Sequence, residues 1–204
     1  MRGPARLVLF PKTKDGPLGK AGGTDGEEGG MGRTALLVID MLHDFLDPRG
    51  SLYCGDEAAK VIPAVKDLLE VHRRSGSAII FVADHHPPDD KEFRLFPPHC
   101  VRGTPGAEPL PGFAPRPGEY LVRKTRYSAF WGTDLENILR EEGVDEAHLA
   151  GVCTSICVMD TCSDLRNRDL RAVVHRLSVA DFDPEAHAFA LRRIEKILGG
   201  EVVD

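Results

Sequence analysis

Three residues that could support nucleophilic chemistry stand far apart in the chain, each at or near the end of an apolar run: Asp40, Lys124 and Cys157. The stretch Ala147 to Asp164, AHLAGVCTSICVMDTCSD, passes from an apolar segment through small and hydroxyl residues into an apolar-periodic one. It reads as strand, sharp turn, helix. Thr154 or Ser155 is placed to cap that helix, which would set Cys157 in the positive end of its dipole, where a thiolate is favoured. The plainer reading of Cys153, Cys157 and Cys162 is as small buried hydrophobes. A cysteine nucleophile needs a group to take its proton, and an acyl substrate needs backbone donors for the developing oxyanion. Asp40 can be the base, Lys124 the neighbouring cation, and the turn from Cys153 to Cys157 the source of N–H groups. No histidine falls at a predicted strand end near Cys157 in sequence, so this pattern does not favour a Cys–His pair.

A second dense region is Asp84 to His99, DHHPPDDKEFRLFPPH. Asp84, His86 and His99 offer a carboxylate and two imidazoles, and Glu92 adds another oxygen, a mixed set suited to zinc, iron or manganese. A D-x-H on a polar loop is also an ordinary solvated turn. Its position directly after a predicted strand, on the same edge as Cys157, favours a metal. His85 and Asp90 have no role in this reading.

The elements that must position these groups follow from the apolar pattern. Thr34 to Asp40 and Ser77 to Ala83 are continuous apolar runs of the kind buried on both faces of a parallel sheet. Glu119 to Arg123, Ala147 to Val152, Arg171 to Arg176 and Glu201 to Val203 supply further strands. Helical spacing covers residues 56 to 74, with Asp56 as cap, Gly76 as stop and Pro63 bending or restarting the helix. Thr133 to Glu142 is a helix opened by a Thr133/Glu136 capping box, and another starts with Asp183 as cap and Pro184 in its first position. Strands alternating with helices predict an α/β fold: a doubly wound, about six-stranded, mostly parallel sheet with helices on both faces. Such sheets bind ligands outside the carboxyl ends of their strands. Asp40, Asp84, Lys124 and the segment leading to Cys157 would therefore meet on one edge.

The chain of 204 residues suits one such domain, over residues 34 to 204. Residues 1 to 33, rich in glycine, read as a flexible tail, and Met31 is as good a start as Met1. A net charge of −6 offers no global basic field for nucleic acid or anionic lipid, and a small soluble substrate is the natural partner. Five cysteines lack small-domain disulfide spacing, and no apolar run suggests a signal peptide or membrane span, so the cytoplasm is the expected compartment. The Cys153/Cys157/Cys162 spacing also lacks the paired knuckles of a structural zinc site.

The segments LLVIDMLHDF, DHHPPDDKEFRLFPPHCVRGTPGAE, KTRYSAFWGTDL and GVCTSICV, in this order, resemble the nicotinamidase (pyrazinamidase) branch of the isochorismatase-like cysteine hydrolases. The resemblance covers nearly all of residues 34 to 204. It implies catalytic roles for Asp40, Lys124 and Cys157, and an oxyanion held by the backbone N–H groups of Cys153 and Cys157. It also implies a divalent metal, zinc first and iron or manganese as alternatives, on Asp84, His86 and His99, with Glu92 matching a ligand found in some members. Phe45, Phe96 and Tyr127 would form an aromatic wall, with Trp131 a further lining residue. The implied reaction turns nicotinamide into nicotinate and ammonia, within NAD salvage, in a homo-oligomer of unstated order. An unusual cis bond between Val152 and Cys153 is implied as well.

Some positions depart from the family pattern. Leu42 stands where a glutamine is common, and Ser155 and Ile156 stand where an aspartate and an aromatic residue are common. Ile156 would reshape the pocket. Two alternatives therefore accompany the nicotinamide reading. One is a hydrolase of another small amide, carbamoyl compound or vinyl ether, and the other is a non-catalytic binding or redox module.

Overall fold

The computed structural model describes residues 32–204. Residues 1 to 31, most of the predicted tail, lie outside the described residues. Among the described residues the sheet has six strands, all parallel. They are β1 (Arg33–Ile39), β2 (Ala78–Asp84), β3 (Tyr120–Lys124), β4 (Val144–Val152), β5 (Arg171–Ala180) and β6 (Glu201–Val203). Their spatial order is β3-β2-β1-β4-β5-β6. The chain thus builds outward from β1 to one side, then crosses back and builds outward through β4 on the other.

Alternation along each strand sends side chains to two cores. Leu36, Val38, Ile79 and Phe81 pack beneath Phe45 and Leu46 of α1 (His43–Leu46), Ala58 of α2 (Asp56–Ala59) and Val61, Val65 and Leu69 of α3 (Val61–Ser75). Leu37, Ile39, Ile80 and Val82 face the other way, against α4 (Leu135–Glu141), α5 (Met159–Arg166) and α6 (Pro184–Arg193). Burial on both faces is why β1 and β2 read as unbroken apolar runs. Among the described residues no helix is long and apolar enough to cross a membrane.

Local details differ from the predictions in instructive ways. The single helix expected over residues 56 to 74 is two, broken at Lys60, and Pro63 lies in the first turn of α3, where a missing N–H is tolerated. Asp56 is not the cap; that position is Gly55, and the Asp56 carboxylate instead accepts a bond from the Tyr53 hydroxyl at 2.7 Å. Gly76 closes α3 at φ 76°, as its sequence position predicts. The Thr133/Glu136 capping box does not form. Thr133 donates its hydroxyl to the Ala129 carbonyl, and Glu136 pairs with Arg168 at 2.9 Å. Asp183 caps α6 as expected, accepting from the N–H groups of Glu185 and Ala186.

β5 runs four residues past the predicted end at Arg176. Its pairing with β4 slips between Leu149↔Val174 and Gly151↔Val179, so the strand bulges where Arg176 and Leu177 are exposed. That exposed interruption hid its continuation.

The edge of the sheet at β3 is tied to α3 by charge. Arg73 holds the Glu119 carboxylate through two bonds of 2.7 and 2.9 Å, with both side chains about 10% exposed. Burial would raise the Glu119 pKa, but the Arg73 bonds and the Arg116 N–H outweigh it and hold the carboxyl below its usual value. The unfolded chain therefore takes up this proton first as pH falls. The pair's stabilisation is fully present above the unfolded glutamate value of about 4.3 and is lost as pH drops through the lower folded value. Glu119→Gln is expected to cost about 1.5–3 kcal/mol at pH 7 in urea unfolding, with the difference from native shrinking below pH 4. A deficit that persisted undiminished at pH 2.5 would contradict this origin.

Candidate active site

The strand ends bring the predicted groups together. Asp84 and Lys124 are the last residues of β2 and β3 and are paired in register. Asp40 follows β1, and the turn carrying Cys157 follows β4, with Ile39 opposite both Val82 and Gly151. β1 and β4 flank the point where the strand order reverses, the place where an open parallel sheet leaves a crevice. Gly151 lets the two strands close there: at φ 118° a Cβ would lie 1.9 Å from the Ile39 carbonyl oxygen. The bond between Val152 and Cys153 is cis.

Lys124 is the hub. Its side chain is fully buried, and its ammonium lies 2.9 Å from Asp40 Oδ2 and 3.3 Å from Cys157 Sγ, and is hydrogen-bonded to Asp84 Oδ1. Asp40 Oδ1 is fixed by the Asp84 N–H at 2.9 Å. Oδ2 meets Lys124 as an ion pair without an aligned hydrogen bond, which leaves this oxygen free to accept a proton. Burial, then repulsion from Asp84, raises Asp40 to about 6 despite Lys124. Burial alone would lower Lys124, but Asp40, Asp84 and Cys157 hold it charged, well above its usual value.

Cys157 departs from the expectation of a resting thiolate. Burial pushes its thiol well up; Lys124 opposes this, but Asp40 and Asp84 add to it. The turn is also built differently from the predicted cap. The helix opens at Thr154 with a wide π turn, Thr154–Val158, in which the Cys153 carbonyl accepts from both Ile156 and Val158. Neither Thr154 nor Ser155 caps it. The cap comes from Asp181, whose carboxylate accepts the Ser155 N–H at 2.7 Å. Asp181 directly follows β5, so the strand-end rule would have found it had the strand's true end been legible.

On the far side of Lys124, Asp84, His86 and His99 each present an atom within 4.8 Å of the others. Asp84 Oδ2 is 3.6 Å from His86 Nε2 and 3.8 Å from His99 Nε2, too long for hydrogen bonds and suitable for a shared ion. The outer ring nitrogens are engaged: His86 Nδ1 with Asp90 at 3.1 Å, and His99 Nδ1 with the Pro97 carbonyl at 2.8 Å. Both Nε2 lone pairs are thereby turned inward, and His86 Nε2 is buried without a partner. These residues fit a divalent cation. Glu92 stands one step out, with Oε1 3.9 Å from His99 Nε2 and Oε2 3.9 Å from the Arg126 guanidinium without a hydrogen bond. Asp40, Asp84 and Cys157 also cluster, but the Lys124 ammonium already contacts all three.

Asp90 is therefore not the idle residue the sequence suggested. Besides holding His86, it caps the 3₁₀ turn Lys91–Arg94 through the Glu92 N–H and pairs with Arg126 at 2.9 Å. Its spacing of four residues from His86 was the available signal. Asp44 was missed as well. It is buried and accepts the N–H groups of Ser51 and Cys100, tying the loop before His99's neighbour to α1.

A narrow cleft joins these groups. Phe45, Phe96 and Tyr127 line it with Asp40, Asp84, Glu92, His99, Cys153 and Cys157. Trp131 does not: it is 65% exposed on the turn after Ser128. Leu52, Cys54, Ile156 and Phe182 line the cleft instead, and of these only Ile156 was anticipated.

The whole fold has close counterparts among solved structures. A nicotinamidase/pyrazinamidase from Bacillus subtilis superposes with a TM-score of 0.80 at 38% identity, covering 84% of this chain and 100% of that one. A pyrazinamidase from Pyrococcus horikoshii, solved in complex with zinc, gives 0.78 at 32% identity over 84% of this chain and 99% of its own. N-carbamoylsarcosine amidase from Thermoplasma acidophilum gives 0.74 at 35% identity, over 83% and 95%. The isochorismatase domain profile matches residues 34–204, from the second residue of β1 to the last residue of the chain. Because that match takes in every strand that ends at the crevice, the chain belongs to the isochorismatase family of hydrolases.

Proposed function

We propose that this chain is a nicotinamidase-type amidohydrolase that converts nicotinamide to nicotinate and ammonia through a thioester on Cys157. The observation that carries the reading is the buried Lys124 contact with Asp40, Asp84 and Cys157, three residues that line one cleft together with His99 of the Asp84/His86/His99 set. Asp40 takes the thiol proton; an acid near 6 is ionised at neutral pH and close enough to it to return the proton. Its carboxylate and Cys157 Sγ lie within 4.8 Å of each other. Sγ attacks the carboxamide carbon, and the N–H groups of Cys153 and Cys157 hold the developing oxyanion. The C–N bond breaks as Asp40 passes its proton to the nitrogen, and ammonia leaves. Asp40 then takes a proton from water, whose oxygen adds to the thioester carbon. Nicotinic acid leaves as Cys157 recovers the proton from Asp40, and it gives up its own proton to solvent to become nicotinate. Lys124 keeps the combined charge of Asp40, Asp84 and the transient thiolate balanced. Phe45, Phe96 and Tyr127 hold the ring.

A divalent ion on Asp84, His86 and His99, zinc first and iron or manganese as alternatives, with Glu92 close by, would supply a Lewis-acid contact that orients the ring nitrogen. A second reading, hydrolysis of a carbamoyl or other small amide, is favoured by Ile156 and Leu52 in the cleft wall and by the 35% identity to N-carbamoylsarcosine amidase.

Ammonia release from nicotinamide, pyrazinamide and N-carbamoylsarcosine, before and after chelation and metal restoration, separates the two. Nicotinamide is expected to react fastest, chelation to slow it about tenfold or more, and one of the three metals to restore it. Unchanged rates after chelation would remove the ligand set from the mechanism, and preference for N-carbamoylsarcosine would install the second reading.

A further inference from the structure

We propose that His72, His148 and His175 form a second site for a divalent transition-metal ion, separate from the crevice and on the face of the sheet covered by α3. The three residues come from α3, β4 and β5. One ring nitrogen from each lies within 4.8 Å of the others. His148 and His175 meet with Nδ1 and Nε2 2.8 Å apart, and the His72 ring centroid is 4.6 Å from that of His148.

The surrounding groups turn the right atoms inward. In the neutral ring His148 Nε2 donates to Glu146 at 3.0 Å and leaves Nδ1 as the lone pair, and Glu146 is itself held by Arg171 at 2.6 Å. In the tautomer in which His72 Nδ1–H donates to the Ser77 hydroxyl oxygen at 3.0 Å, its Nε2 is the free nitrogen. A carboxylate behind one metal-ligating imidazole and a hydroxyl behind another is the arrangement that fixes ring tautomer and orientation at metal sites. With His148 Nδ1 bare, the 2.8 Å contact requires a proton on His175 Nε2. An arriving ion displaces that proton, which passes through solvent to Nδ1 of the same ring, so ligand and proton balance.

The distances suit the change. Metal–nitrogen bonds of about 2.0–2.1 Å in a tetrahedral site set nitrogens about 3.3 Å apart, so the His148/His175 pair opens slightly while His72 draws in. His148 keeps about 17% of its side chain exposed, which admits the ion and a water to complete its coordination. Three imidazoles select zinc, copper or nickel over calcium or magnesium. Burial first, then the neighbouring imidazoles, pushes His72 and His175 down to about 4, so both are neutral at pH 7 and need lose no charge to bind. No residue of this cluster touches the cleft.

Zinc is the probe. Metal-free native protein is expected to bind two equivalents by titration calorimetry and elemental analysis. His148→Gln and His175→Gln each remove one equivalent while leaving ammonia release at the native rate. His86→Asn, which disables the crevice set, retains one equivalent, and zinc raises its Tm; adding His175→Gln to it abolishes both effects. Near-UV circular dichroism checks that each variant is folded, and two separate glutamine variants guard against a single folding failure. The proposal is overturned if His86→Asn binds no zinc, or if the glutamine variants bind as much as the native chain. Either result leaves the reading of the crevice untouched.

Discussion

Cys157→Ala is expected to lower ammonia release from nicotinamide by about 10⁴-fold or more while leaving binding of nicotinamide nearly unchanged. The substitution removes one sulfur from the cleft wall and nothing else. Cys157 is buried and its thiol is held protonated by its surroundings, so it supplies no charge to the bound substrate. What disappears is the atom proposed to form the thioester, which no neighbouring cysteine replaces: Cys153 Sγ is turned to Cys54 Sγ at 3.4 Å, and Cys162 is in the core beneath. The fold should lose little, about 1 kcal/mol for a small buried group. A single-turnover ammonia assay paired with a nicotinamide binding isotherm gives the split. Release at the native rate would end the covalent mechanism.

The second large effect is expected at Lys124. Lys124→Met keeps the volume of the side chain but strips the cation from between Asp40 and Asp84, both wholly buried. Removing one partner of a buried ionic cluster costs about 3–5 kcal/mol, because the carboxylates cannot regain their hydration. The variant can relieve the repulsion by protonating Asp40, already raised to about 6 by burial and by Asp84 with the lysine present, and raised further without it. A carboxyl whose folded value exceeds its unfolded value of about 3.9 destabilises at high pH, and the loss is recovered as pH falls through the folded value. Urea unfolding should therefore show a deficit that is full at pH 8 and smaller at pH 5.5. Turnover falls as well, by about 10²–10³, since nothing then balances the thiolate. Native stability at pH 8 would mean that the two carboxylates are not ionised together in the folded chain.

The residues that carry these predictions were legible early because of one physical regularity. A strand buried on both faces is apolar along its length, so its first polar residue marks where it leaves the core. Asp40 and Asp84 announce themselves in this way, Lys124 follows the exposed Arg123 at the end of the edge strand β3, and the glycine and hydroxyl residues around Cys157 announce the turn. Where that regularity failed, so did the reading. The exposed bulge at Arg176 and Leu177 concealed the rest of β5 and with it Asp181, which caps the turn carrying Cys157 from another strand. Asp90 looked idle because its partners, Arg126 and the His86 ring, are set by a fold that brings residue 126 beside residue 90.

The sequence by itself determined the alternation of strands and helices, the edge on which the chemistry gathers, and the residue types available there. These depend on local burial and backbone preference, and both are written into neighbouring residues. The tertiary structure alone decided the strand order that puts β1 and β4 at the crevice, the insertion of one ammonium between two carboxylates and a thiol, and the exposure of Trp131. It alone brought together three histidines from separate elements. Each of these turns on distances across the sheet, fixed by packing between segments that the order of the chain leaves far apart.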